Sequence, residues 1–284
     1  MNELYSANRN ISESYRKKLQ KKFSTLDQSK VFSDQAEINP QTYYLDFKNR
    51  ALDFVSKETE ILKKEYLKSD NSHLILLNQT ALVDTIVQAA FCSALWFFNK
   101  QNLQGLTPET VPIALLGCGG YGREEMYFRS NVGIQIVSQD SLNDEEKKSA
   151  EEVIRHFEYL FVFQNIFPTS TISCYTENES FGKELIEKNI MQFISLLEHR
   201  FITGNILVYK KFKSSIKTLI LLHQEEVTKH FLSQGGFYEV QNTVFKQEPE
   251  IKEELQRLYW ALASVRIIKK IEKVNQFELL NDLF

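Results

Sequence analysis

At 284 residues with 43% hydrophobic content, the chain can bury one sizeable core or two modest ones that share an interface. A formal net charge of −3 and a pI near 6.0 exclude any general electrostatic draw toward nucleic acid or anionic lipid, so such partners would need a local patch. The start, MNELYSANRNISESYRKK, lacks the apolar stretch of a secretory signal, and no later window offers about 18 uncharged apolar residues, so neither secretion nor a membrane partner is expected.

Cys92, Cys118 and Cys174 lie far apart, form no C-x-x-C pair and are expected to pack as core thiols in a reducing compartment, the cytoplasm. Only five Pro and ten Gly occur, which favours long helices over flexible linkers.

Residues 1–40 are rich in Ser, Asn, Gln and Lys and read as a polar arm or loosely docked helix. An N-terminal helical region over 41–105 follows. Tyr44, Phe47, Leu52, Phe54, Val55, Ile61, Leu62 and Tyr66 recur at three- and four-residue steps, which predicts an amphipathic helix over 42–67. Leu74, Leu76, Leu77, Leu82, Ile86, Phe91, Leu95 and Phe98 predict a second, strongly apolar helix over 73–98.

The period then changes. Val111 to Leu116 is a short continuous apolar run that ends in Gly117, Cys118, Gly119 and Gly120, the pattern of a buried strand entering a glycine turn. A second strand is expected over 132–137, a helix with an acidic start at 141–146 that continues through Phe161, and a third strand over 169–175. Strands interleaved with helices define an α/β core over 106–178.

Residues 179–284 carry only helical patterns, at 181–188, 190–203, 206–230 and 251–274, with Gly204 as the stop of the second and Asn205 as the cap of the third. The expected fold class is therefore α+β: a small mixed sheet flanked by an N-terminal helical region and a C-terminal helical bundle.

Leu116 to Ser138, LGCGGYGREEMYFRSNVGIQIVS, carries most of the chemistry. Gly119 and Gly120 would let backbone amides approach an anion closely, while Arg123 and Ser130 would add charge and a hydroxyl, so these four are candidate nucleotide- or phosphate-binding residues. Glycine-glycine-x-glycine also serves any tight strand-to-helix turn.

In its wider context the segment resembles the nucleotidyltransferase module of bacterial protein-PII uridylyltransferases, whose signature is G-G-Y-G-R-G-E-L-x-P-x-S-D-x-D. Gly119, Gly120, Tyr121, Gly122, Arg123, Glu125 and Ser130 match it in register. Two further blocks follow in the family's order. Leu196, Leu197, Glu198, Arg200 and Gly204 match its Leu-Leu-Glu-x-Arg-x-Leu-x-Gly-Asp helix, and Glu248, Pro249, Ile251, Lys252 and Glu253 resemble its Glu-Pro-x-Ile-Lys-Glu, with Trp260 beyond.

The resemblance implies two aspartates, spaced one apart on the second strand, that hold divalent metal against a nucleoside triphosphate. Asn131 and Gly133 stand at those two positions here. A neutral amide is a poor ligand for a hard cation, and glycine offers no side chain.

Other departures agree. Glu124 replaces a glycine beside the presumed phosphate cradle, Phe128 a proline and Gln135 an apolar residue. The family's glycine-rich Gly-Pro-Gly-Gly-Leu-Arg-Asp loop is missing before Trp260. The phosphohydrolase and sensing domains that follow in full uridylyltransferases are not in the sequence, so neither uridylyl removal nor glutamine sensing is expected.

The leading expectation is a catalytically inactive relative, a pseudoenzyme that acts by protein or nucleotide binding in a regulatory role, with no cofactor. An active transferase with rearranged ligands is the alternative. It would use Mg²⁺ and a nucleoside triphosphate and would draw on Glu125, Asp140 or a carboxylate of the C-terminal helices. A helical scaffold or self-association module is the third reading.

Glu124 and Glu125, being adjacent, converge poorly on one ion, which leaves Glu125 a weak metal candidate. His73, His156, His199, His223 and His230 are scattered and read as surface residues; only His223 and His230 share a helix face. Lys210, Lys211 and Lys213 form one modest basic cluster, so nucleic acid is not an expected partner.

Overall fold

The computed structural model describes residues 2–22, 26–34, 37–69, 71–128, 130–162, 165–167, 170–176 and 198–222. The chain divides into two compact units, Met1–Glu177 with His199–Phe212 and Asn178–Glu198 with Lys213–Phe284. Of the second, the described part is Glu198 and the end of one helix, and the helices expected at 181–188 and 251–274 lie outside the described residues.

The first unit begins with helix α1 (Asn2–Lys22), the short α2 (Ser29–Phe32), and two long helices, α3 (Pro40–Ser69) and α4 (Ser72–Asn102). On α3, Tyr43, Phe47, Ala51, Phe54, Glu58 and Leu62 form the buried stripe, one residue every three or four. Leu52, Ile61 and Tyr66, counted toward that face from the sequence, are exposed.

Asn71 caps α4 by accepting from the Leu74 amide, and Leu103 closes it at φ 51 while its N–H bonds the Asn99 carbonyl. By length and composition alone α4 is long and apolar enough to cross a membrane, its best window reaching a mean hydropathy of 1.6, although Asp84 interrupts its apolar run. That window is 83% buried inside the fold, and α4 is the helix around which the core of this unit forms.

Strand β1 (Ile113–Cys118) leads into a single helical turn, α5 (Gly119–Gly122), and then β2 (Val132–Ser138), α6 (Asp144–Phe161), β3 (Ser170–Thr176) and β4 (Arg200–Gly204). The four strands form one sheet in the order β3-β2-β1-β4. β1 is antiparallel to both β2 and β4, whereas β2 and β3 are parallel. The fold is thus α+β with a small mixed sheet, the class expected from the sequence.

Helix α6 starts at a full capping box, Asn143 with Glu146, at the acidic run where the helix was predicted. Its buried face, with Val153, Phe157, Leu160 and Phe161, joins Phe91 of α4 and Leu115, Ile134 and Ile136 of the sheet in one core.

Residues 200–204 correct the sequence reading. They were expected to end a helix, but they form β4, on the edge of the sheet. Gly204, at φ +99, is not a helix stop. A Cβ there would stand 2.6 Å from the Ile113 carbonyl oxygen, so only glycine lets β4 pass so close to β1. Asn205 does cap the next helix, α7 (Ile206–Leu222), by accepting from the Leu207 amide at 2.9 Å.

Two further expectations fail on burial. His156 and His199 are buried rather than at the surface, and His199 packs edge-on against Tyr209 and Phe212. No cysteine is fully buried, since Cys92 and Cys118 are half-buried and Cys174 is exposed on the edge strand β3. His223 and His230 lie outside the described residues.

Candidate functional site

The loop between β1 and β2 runs from Gly119 to Asn131 at one end of the sheet. Gly119 and Gly120 open the turn α5, whose carbonyls accept from the Arg123 and Glu125 amides at 2.9 and 2.8 Å. Those amides are spent within the turn. Arg123 folds back, its Nε donating to Glu125 at 2.8 Å, and the Ser130 hydroxyl accepts from the Tyr127 amide at 2.9 Å. Arg123 and Ser130, expected to meet an anion, thus each make a bond that shapes the loop.

Glu124 is the unusual residue of this loop. It sits at φ 61, in the left-handed region that favours glycine and costs other residues about 1 kcal/mol or more. Its carboxylate turns toward α1, where Arg9 pairs with it at 2.8 Å and Arg16 at 3.5 Å. Glu124 and Glu125 thus point to different arginines and do not converge, as their adjacency implied. Glu124→Gly is expected to be about 1 kcal/mol more stable than Glu124→Ala, because both lose the ion pairs but only glycine relieves the backbone. Urea denaturation midpoints measure this difference, and equal midpoints would refute the left-handed assignment.

Below the loop lies a buried ionic cluster. Asp84, midway along α4 and only 2% exposed, receives both terminal nitrogens of Arg200 on β4, at 2.8 and 3.0 Å. Arg16 of α1 also donates to it, and the Tyr121 hydroxyl donates at 2.7 Å. Arg200 lies over the Tyr121 ring at 5.3 Å.

Burial alone would raise the Asp84 pKa, but Arg200 and Arg16 outweigh it and hold the carboxyl below its usual range. Burial and the neighbouring Asp84 carboxylate push the Tyr121 hydroxyl well above its usual value, so it stays a neutral donor.

Asn131 and Gly133, the two positions where the resemblance implies metal-binding aspartates, lie at the start of β2. Asn131 is exposed, one residue before β2. Gly133 is paired across the strands with Cys118, and a Cβ at Gly133 would stand 2.7 Å from the Cys118 sulfur and 3.3 Å from the Cys118 carbonyl oxygen. The thiol occupies the place of a side chain at that position.

Asp140 lies beyond the other end of β2, on the order of 20 Å along the strand from Gly133. Among the described residues, no three His, Cys, Asp or Glu side chains converge to hold a cation. One neutral amide and a thiol do not fit the hard-cation chemistry that magnesium requires.

Asp84 and Arg16 were not singled out from the sequence, and Tyr121 and Arg200 entered only as matched positions. The signal was present: Asp84 is the one ionised residue between His73 and Phe98. A carboxylate in the middle of so apolar a helix needs a cationic partner.

A small mixed sheet with a glycine turn between its first two strands, flanked by helices, makes this an α+β unit. No family model matches the chain. A bifunctional uridylyltransferase/uridylyl-removing enzyme of Nitrosospira multiformis is 27% identical over 207 residues, covering 71% of this chain and 22% of that protein. The chain thus spans about a fifth of that relative's length, and the similarity supports a distant nucleotidyltransferase-like relationship.

Proposed function

We propose that this chain is a catalytically inactive nucleotidyltransferase-like protein that acts by binding a protein, in a regulatory role. The observation that carries this reading is the Cys118 thiol in the space of a side chain at Gly133, beside Asn131. A transferase needs anionic oxygens there to seat magnesium against the triphosphate, and neither a thiol nor an amide supplies the charge. The loop adds to the case. A phosphate at Arg123 would compete with the Glu125 carboxylate already bonded to that guanidinium, whose like charge opposes it.

Incubating the purified chain with α-labelled ATP, UTP, GTP and CTP, Mg²⁺ or Mn²⁺, and cell lysate is expected to leave every protein unlabelled. Calorimetry with the same nucleotides, with and without metal, is expected to show no heat of binding. Transferred label would reject the inactive reading. Heat without transfer would replace protein binding by nucleotide binding as the mode of action.

A further inference from the structure

The helix that covers this loop is held in an unusual way. From Ser6 onward, where the side chains of α1 are described, its buried stripe is Asn8, Ser12, Tyr15 and Leu19. Polar attachments accompany it: Asn8 to Asn71 at 2.8 Å, Tyr15 to Glu58 at 3.2 Å, Lys22 to Glu58 at 2.5 Å, Arg9 to Glu124, and Arg16 to Asp84 and Glu124. Arg9, Arg16 and Lys22 thus join α1 to carboxylates of the β1–β2 loop, α4 and α3, so ion pairs contribute to keeping it docked.

The packing is also incomplete. A pocket of about 230 Å³ remains between α1, Leu77 of α4 and Glu124, with Arg9, Ser12 and Arg16 along its helical side. Two carboxylates, Asp84 and Glu124, face two arginines that stand seven residues, or two helical turns, apart. Glu124 holds its carboxylate there at the expense of a backbone conformation suited to glycine, and such strain persists where the surroundings enforce it.

We propose that the Asp84–Glu124 cleft is a docking site for an arginine-bearing helix, that α1 occupies it in cis, and that a partner protein's helix with two arginines two turns apart displaces α1. The proposal rests on reading this face as one that binds protein. Charge complementarity selects the partner, because Asp84 and Glu124 are the carboxylates that Arg16 and Arg9 meet, with Leu77 beside Glu124 in the pocket. A lysine pair would fill it less well, lacking the planar fork that bridges two carboxylates.

The probe is a fluorescein-labelled peptide with the sequence of residues 2–22, added to the full-length chain and followed by anisotropy. Arg9→Ala in the chain weakens its own α1, so that variant is expected to bind the peptide at least tenfold more tightly than the unaltered chain. A peptide carrying Arg9→Glu and Arg16→Glu is expected not to bind, and raising the salt is expected to weaken the parent peptide.

Equal binding of parent and charge-reversed peptides, or no binding of either to both chains, overturns the proposal. So does light scattering that shows Arg9→Ala forming a dimer, which would make a second copy the occupant.

Should Arg9→Ala fail to fold, hydrogen exchange on the unaltered chain decides the matter. The amides of α1 are expected to exchange faster in high salt while those of α4 do not, and α1 exchanging together with α4 sinks the idea. Peptide failure without label transfer removes only this inference. Label transfer removes the inactive reading beneath it.

Discussion

Replacing Asp84 with asparagine is expected to destabilise the protein by about 3–5 kcal/mol, the usual cost of leaving a buried cation without its counter-ion. The carboxylate is the hub of the unit. It joins α4 to β4 through Arg200, to α1 through Arg16, and to the glycine turn through Tyr121. Asparagine keeps the shape and can still accept from Tyr121, but it leaves two guanidiniums facing a neutral amide.

The same variant is expected to change the acid limb of stability. Because the folded Asp84 pKa lies below its unfolded value, its contribution is complete above that unfolded value, about 4, and is lost as pH falls further. Urea denaturation at neutral pH and across the range below pH 4 measures both effects. A loss under about 1 kcal/mol at neutral pH would mean that the cluster is not a structural hub.

Much of this fold was legible because hydrophobic period and local chemistry agreed. The stripe of α3, the apolar run of β1 and the acidic capping box of α6 each specify their element without distant help. Arg200 to Gly204 was misread because a five-residue edge run after an apparently helical segment has no period of its own. Its strand character comes from pairing with β1, which no local pattern encodes.

The candidate site divides in the same way. Gly119, Gly120, Arg123 and Ser130 were found from motif spacing, but their internal pairing depends on where Glu125 and the Tyr127 amide fall in space. The exchange of a strand side chain for the Cys118 thiol could not be read without the register that sets Cys118 opposite Gly133. Arg9 and Arg16 were beyond sequence reasoning, since they meet Glu124 more than a hundred residues away.

Between pH 6.5 and about 4 a different residue is expected to govern stability. His156 on α6 is buried between Tyr44, whose hydroxyl lies 2.6 Å from its Nδ1, and the edge-on ring of Phe97 at 4.9 Å. Burial first, and then the nearby Arg155, push its pKa down from 6.5 to about 4, against the opposing pull of Glu152. Burial likewise raises the Tyr44 hydroxyl to about 12, so a neutral hydroxyl and a neutral imidazole share this hydrogen bond.

The unfolded chain binds a proton at this histidine below pH 6.5 and the folded chain does not until about pH 4, so stability is complete above 6.5 and declines as pH falls through that window. The full loss is about 3 kcal/mol, after which the curve flattens as far as this residue is concerned. Asp84 acts only below that range, so the two limbs separate.

His156→Phe keeps an aromatic ring in the cluster and removes the titrating group. It is expected to flatten the slope between pH 6.5 and 4 while leaving the limb below pH 4 in place. An unchanged slope in this variant would show that the folded protein does not hold His156 neutral through this window.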